Sequence, residues 1–284
     1  MDDISIRDLE SLCQRGLEAG GNAEPSMLQA LVLAGCALGE APGEGGICVV
    51  ATGVQAEPQG KGWRLQGFAP AALLTGDAPQ RFVIVTGGAG GEQVFVVPAG
   101  RAGLRTSPVQ SLDELAALDA HFDNVALPAS MAPRRLAADA LAPALIALCA
   151  EITGAAAAAL ALAVLRARQR SLFSRTLGSY QALAHHLADA RMDLDAMQLA
   201  LEEAAHSEPH ELGLQAVALK ALCSAAGPRI VAAAQQVCGG EGYYADQPLH
   251  HYTRRVQGLA LRLGGADHHH ADLLRRLQVR TPAA

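Results

Sequence analysis

Three textures follow one another along the chain. Near the start, apolar residues recur at helical spacing in "RDLESLCQRGLEA" and again in "PSMLQALVLAGCALGE", where Pro25 suits the first turn of a helix. The Gly/Pro-rich "APGEGG" ends that pattern. From Ile47 the period shortens. "ICVVA", "WRLQGFA", "RFVIVTG", "EQVFVVPAG" and "FDNVALP" are short β-branched or aromatic runs between glycine-rich turns, which predicts a small antiparallel β domain. From about residue 138 helical spacing returns and holds to the end. Leu183, Leu187, Ala190, Leu194, Met197 and Leu201 recur at steps of four and three, one apolar stripe on one helix. Four long helices fit, over roughly 139–169, 179–206, 209–237 and 249–278, with Gly227-Pro228 expected to kink the third. Their short connections predict antiparallel neighbours.

The expected class is therefore α+β, in three parts. A truncated N-terminal helical segment spans 1–44, an antiparallel β domain spans 45–135, and an antiparallel four-helix bundle spans 136–284. Ile230, Val231, Leu259 and Leu261 add more apolar surface than one bundle core needs, which predicts a homodimer or larger assembly formed through the bundle.

Composition removes several classes. A net charge of −6, with Lys61 and Lys220 the only lysines, argues against a nucleic-acid-binding face. The longest apolar run, "ITGAAAAALALAVL", lies between Glu151 and Arg166 and is short for a bilayer, so a buried bundle helix is expected and no membrane. The N-terminal "MDDISIRDLE" is acidic and lacks the apolar centre of a secretory signal. The six cysteines form no C-x-x-C pair and most sit in apolar runs, which predicts buried free thiols and a reducing, cytoplasmic setting.

Candidate chemistry is sparse. "GGAGG" at 87–91 is followed by a strand rather than a helix, so a hairpin loop is expected there and no phosphate loop. The histidines cluster as His185–His186, His250–His251 and His268–His270. Adjacent positions on a helix point in different directions, so solvated or capping roles are expected before a metal site. Two stretches say more. In "RQRSLFSRTLGSYQALAHHLAD" an arginine and a phenylalanine stand at a helix–loop–helix corner, and a guanidinium can grip phosphate oxygens in bidentate fashion. "QQVCGGEGY" ends a helix in Gly-Gly-x-Gly, which lets backbone approach a ligand closely. Taken singly, each is equally ordinary corner or cap chemistry.

Together, and in this order after a β domain, the two stretches resemble the acyl-CoA dehydrogenase family. The family's bundle corner, R-x-x-F-G-x-x-[IL]-x-x-[FYH]-Q, is similar to Arg170, Phe173, Ser174, Leu177, Tyr180 and Gln181 here. Its Q-x-x-G-G-x-G-[YF] is similar to Gln236, Gly239, Gly240, Gly242 and Tyr243. "GWRLQG" and "FDNVALPASM" resemble family stretches of the β domain, and the resemblance covers about residues 45–278. It implies FAD held between the β domain of one subunit and the bundle of its neighbour. Arg170 and Gln236 would reach its pyrophosphate–adenosine part, and Phe173, Gln181, Gly239 and Gly240 would line the same cofactor. It also implies an acyl-CoA thioester as substrate, dehydrogenated between its α and β carbons.

The departures are as informative. Only the first 44 residues stand where the family has a full helical domain. The family's flavin-facing loop is reduced to "ATGVQAEPQ", and "FAPAAL" replaces a lysine and an aromatic residue. The catalytic carboxylate that the family carries after its Tyr-x-x-x-R-V helix segment falls on Gly264–Gly265. The family's other position for it falls near Ala144, with Glu151 about two turns further on. Between Asp246 and Asp267 there is no acidic residue. No catalytic residue is therefore assigned. The chain resembles the short subunits of heteromeric, steroid-degrading acyl-CoA dehydrogenases. Three readings stay open: an FAD-linked oxidoreductase subunit lacking its own base, a non-catalytic partner lending Arg170 and Gln236 to another dehydrogenase, or a scaffold that binds no flavin. A homo-oligomer and a heteromer are both compatible with them.

Overall fold

The computed structural model describes residues 8–22, 28–39, 46–76, 78–88 and 91–280. The two N-terminal helices, expected as one segment, part company. α1 (Leu9–Gly21) belongs to a helical unit that resumes at Leu145, whereas α2 (Leu28–Leu38) belongs to the unit built on the sheet. α1 starts where the Asp8 carboxylate accepts the Ser11 N–H at 3.1 Å, an ordinary N-cap.

The sheet unit contains β1 (Ile47–Val50), β2 (Val54–Gln59), β3 (Gly62–Thr75), β4 (Arg81–Gly88), β5 (Gly91–Pro98), β6 (Leu104–Gln110), β7 (Ala116–Leu127) and β8 (Arg134–Arg135). Their order is β6-β7-β3-β1-β4-β5-β8, with β2 paired to β3. Every pairing is antiparallel except β1 with β4, which run parallel, so the expected antiparallel sheet carries one parallel seam at its centre. β1 is buried at all four residues, as a central strand covered on both faces must be. Cys48, Val50, Leu65, Phe82, Ile84, Phe95, Val97, Phe122 and Val125 share one core. α2 packs against β1, β3 and β4. β4 and β5 form the hairpin expected around "GGAGG", with Gly88 opposite Gly91. β3 is bulged between Ala69 and Ala72, inside "FAPAAL". There Ala71 takes φ +47° and its N–H is held by the Asp119 carboxylate at 2.9 Å.

The helical unit contains α3 (Ala142–Gln169), a small hairpin of β9 (Ser171–Leu172) and β10 (Arg175–Thr176), then α4 (Gln181–Ala205), α5 (Leu212–Cys238), α6 (Leu249–Leu261) and α7 (Ala266–Arg280). α3 is long and apolar enough to cross a bilayer, but 72% of its most apolar window is buried here, as in a core helix. α5 runs through Pro228 without interruption. The α4 stripe meets the core as its spacing requires. Ala190, Leu194, Met197 and Leu201 are buried, and Leu183 and Leu187 are half-buried. α1 lies so close to α3 that a side chain at Gly20 would run into the Glu151 carbonyl, and one at Gly154 into the Leu17 carbonyl. From α6, Tyr252 donates to the Gly21 carbonyl at 3.0 Å and Arg255 to those of Ala19 and Asn22. A buried arginine thus closes the carbonyl end of α1.

Two expectations change. The fourth helix is two helices, because Leu263 at φ +54° and Gly264 at φ +102° leave the helical region. The surplus apolar surface is also not where it was expected. Ile230, Val231 and Leu259 are wholly buried inside this one chain, since α5 is enclosed by α4, α6 and α7. Of that set only Leu261 is exposed, and the other large exposed apolar side chains on these helices include Met192, Leu199 and Leu274.

Candidate functional site

Arg170 closes α3, its N–H still bonded to the Arg166 carbonyl at 2.9 Å. The chain then makes the β9–β10 hairpin, whose two-residue tip, Phe173 and Ser174, has φ +48° and +64°. Two consecutive positive φ values are the mark of a type I′ turn, which usually recruits Asn and Gly. Two other residues there cost on the order of 1 kcal/mol each. The strained tip is locked in place. Tyr180 donates to the Leu172 carbonyl at 2.8 Å, Leu177 N–H to the Arg170 carbonyl at 2.8 Å, and the Arg175 guanidinium stacks 3.9 Å over the Tyr180 ring. The backbone of the tip is held, and the Phe173 ring on it is left 86% exposed. Gln181 opens α4 beside this corner and is exposed.

The second stretch ends α5. Its two glutamines divide the work. Gln235 is buried and donates to the Gly242 carbonyl at 3.3 Å and to Thr253 Oγ1 at 3.1 Å, whereas Gln236 is exposed. A short 3-10 turn, Gly239–Tyr243, follows, with Gly239 at φ +63°. Gly239 and Gly240 have open space where a side chain would be, so the backbone there is accessible. Glu241 pairs with Arg166, one turn before Arg170 on α3. That ion pair places the two sequence motifs at one end of the helical unit.

These residues suit a dinucleotide's diphosphate and adenosine. The Arg170 guanidinium has no side-chain partner among the described residues, and exposed amides stand at Gln181 and Gln236. Exposed rings of Phe173, Tyr243 and Tyr244 offer stacking surface.

The region where a base was sought is built differently. Lys220, buried on α5, donates to the carbonyls of Leu259 at 3.3 Å, Ala260 at 3.0 Å and Gly264 at 3.0 Å, and to Ser224 Oγ at 2.7 Å. Burial lowers its pKa below the usual lysine value, and the nearby thiols of Cys149 and Cys223 work against that shift. His269 is buried and faces the Leu263 carbonyl at 2.9 Å, so Nε2 carries the proton. Burial is also the first cause that lowers its pKa. A Cβ on Gly264 would lie 2.6 Å from His268 Cδ2 and 2.9 Å from His269 Nε2. Gly264 thus has neither the backbone angle nor the room for a side chain, whereas a Cβ at Gly265 would only touch Leu261 Cδ2 at 3.8 Å. Ala144 is buried and carries no acid, and Glu151 is wholly enclosed in the core.

The remaining candidates are ordinary. Five thiols are buried and Cys238 is half-buried, all free, and burial pushes Cys48 up to about 12. His250 meets the Gln247 carbonyl at 2.6 Å and lies tilted against the His251 ring, while His185 and His186 are exposed. No three metal-ligating side chains converge among the described residues. Sequence reasoning missed Arg166, Glu241, Gln235 and Lys220. Arg166 had a signal, four residues before Arg170 on the same helix face. Lys220 had one too, a lone lysine in an apolar helix.

Comparison with known proteins agrees with this architecture. Residues 134–278, just over half the chain, match the family model described as acyl-CoA dehydrogenase, C-terminal domain. Human acyl-CoA dehydrogenase family member 11 is 30% identical over 173 residues, which make up 57% of this chain but only 22% of that protein. A variant of the Tcur3481–Tcur3483 steroid ACAD superposes with a TM-score of 0.81 at 25% identity, covering 96% of this chain and 81% of its own. The ChsE4–ChsE5 complex from Mycobacterium tuberculosis gives a TM-score of 0.75 at 21% identity, covering 100% of this chain and 91% of its own, a likeness of fold. With the bundle, the corner and the Gly-Gly-x-Gly turn arranged as described, this chain belongs to the acyl-CoA dehydrogenase family.

Proposed function

We propose that this chain is a subunit of an FAD-linked acyl-CoA dehydrogenase that contributes a cofactor-binding end and no catalytic carboxylate of its own. Family members are FAD-dependent flavoproteins. Arg170 and Gln236 would hold the diphosphate and adenosine of FAD, with Phe173, Gln181, Gly239 and Gly240 around them. The flavin, when bound, accepts the β-hydride of the acyl thioester. The α-proton must pass to a carboxylate within hydrogen-bond reach. The observation that carries the reading is Gly264. A glutamate there would clash with His268 and His269 and would need a positive φ. At Gly264 the corner's own geometry opposes a carboxylate, whereas Gly265 has room for a side chain and carries none. Another subunit would supply the acid, and the paired names of the steroid ACAD and of the ChsE4–ChsE5 complex support a heteromer. The steroid ACAD also supports a bulky, steroid-like acyl-CoA as substrate. The free buried thiols suit a cytoplasmic location.

The same observation serves a second reading, in which the chain only braces a catalytic partner and lends it Arg170 and Gln236. One experiment addresses both. Flavin content is measured for the chain purified alone and for the chain co-expressed with a dehydrogenase subunit encoded near it. Straight-chain and steroidal acyl-CoAs are then added anaerobically. We expect no bleaching by the isolated chain. Rapid bleaching would overturn the reading, and bleaching only in the complex would support it. Catalytic bleaching that survives Arg170→Ala in the complex, with flavin fully retained, would discard the loaned arginine.

A further inference from the structure

Glu241 is an awkward residue for a site that takes a diphosphate. It lies in the turn whose glycines open toward the proposed ligand, and a bare carboxylate there would repel phosphate. It is not bare, because Arg166 pairs with it. Neither side chain is fully buried, at 28% and 47% exposure, so the pair adds little to global stability. Its effect is local and twofold. It cancels the charge of Glu241, and it ties the 239–243 turn to the face of α3 on which Arg170 follows one turn later. Gln235 of α5 holds the same turn through the Gly242 carbonyl and is itself bonded to Thr253 of α6, a helix that also packs against the turn. Gly242 is glycine because a Cβ would run into the Gln235 Oε1. Three helices therefore fix one short turn, and only the α3 tie bears on Arg170.

We propose that Arg166 and Glu241 form a positioning strut that sets Arg170 against Gln236, Gly239 and Gly240, so that the two motifs act as one clamp on an adenosine diphosphate moiety. The inference rests on the cofactor reading above. The strut touches no ligand and acts only through its neighbours.

ADP and FAD binding to the full chain are measured by calorimetry, with Tm alongside. Glu241→Gln should weaken ADP by about five- to tenfold although it removes a repelling charge. Arg166→Gln should weaken it further, because it breaks the strut and also unmasks Glu241. Arg166→Lys should recover most of the affinity. Tm should change little in all three. If Glu241→Gln binds ADP as well as or better than the parent, the pair is a mere neutraliser and the strut is wrong. If Arg166→Gln does not fold, Glu241→Gln and Arg166→Lys still decide the matter. If the parent chain binds neither ADP nor FAD, the cofactor reading fails and the strut fails with it, an outcome distinct from parent binding with unaffected variants.

Discussion

Lys220 on α5 donates a hydrogen bond at 3.0 Å to the carbonyl of Gly264, at the corner between α6 and α7. The same ammonium satisfies two more carbonyls at the end of α6, where the helix dipole favours a cation. The three N–H groups of the lysine offset its desolvation by sharing four oxygen partners, and they supply bonds that the Ala260 and Gly264 carbonyls no longer get from a helix. Lys220→Met keeps the volume but takes the ammonium from the Ala260 and Gly264 carbonyls, while Leu259 keeps the Arg262 N–H. It should cost about 2–4 kcal/mol in urea unfolding. An unchanged midpoint would show that the corner needs no internal cation.

Gly264 sets a second test. Its φ of +102° and the close imidazoles of His268 and His269 make any side chain strained. Gly264→Ala should lower stability by about 1–3 kcal/mol. Gly264→Glu should do the same and should not create dehydrogenation of any acyl-CoA, as anaerobic flavin bleaching would report. Activity in that variant would mean the corner yields more easily than its contacts imply.

The pH dependence follows from His269. Its pKa is held below the ordinary 6.5, first by burial, with the Leu263 carbonyl pulling the other way. A lowered native pKa means the unfolded chain takes up the proton more readily. Its contribution is therefore complete above about pH 6.5 and is lost as pH falls through the native value, with a slope of at most about 1.4 kcal/mol per pH unit. His206 works in the opposite sense, raised first by the Glu202 carbonyl and also by Glu10, but it is fully exposed and solvent screens it. Thermal melts from pH 7.5 to 5 should show a falling Tm, and His269→Gln should flatten the fall. Parallel curves for the two proteins would remove His269 from the account.

The strands rich in Val, Ile and Phe were legible because burial demands those side chains. β2, "VQAEPQ", and β6, "LRTSPVQ", were not. Both are mostly exposed, and each carries a proline, Pro58 or Pro108, that argues against a strand in isolation. The parallel seam of β1 and β4 is a non-local fact that no window of sequence carries. The break after α6 was hidden because leucines keep helical spacing on both sides of it, while the interaction that stabilises the break comes from distant Lys220. The apolar residues Ile230, Val231 and Leu259 suggested a partner, yet α1, α6 and α7 add enough surface around α3 and α5 for one chain to use them itself. The two site motifs were legible in residue type. That they share an end of the bundle depends on Arg166 and Glu241, a long-range pair.

Arg170 should matter to the cofactor and not to the fold. It is exposed, and its guanidinium has no partner to lose among the described residues. A charge-assisted contact to phosphate is worth about 1.5–3 kcal/mol, so Arg170→Ala should weaken FAD by roughly one to two decades. Circular dichroism and Tm should match the parent. Equal affinity in a chain that does bind FAD would place the diphosphate elsewhere.

The hairpin tip makes the sharpest contrast between stability and function. Phe173 and Ser174 both sit at positive φ, where glycine would relieve strain. Ser174→Gly should therefore stabilise the chain by about 0.5–1 kcal/mol and leave the Phe173 ring where it is. Phe173→Gly should stabilise the turn for the same reason, since an 86% exposed ring gives up almost no buried area. If the ring is held out to meet the cofactor or a neighbouring subunit, Phe173→Gly should gain stability and lose FAD affinity, whereas Ser174→Gly should gain stability alone. Strain kept at Phe173 would then be strain kept for binding. Urea unfolding and flavin titration on the two variants separate these outcomes, and a Phe173→Gly chain that binds FAD like the parent would leave the exposed ring without a cofactor role.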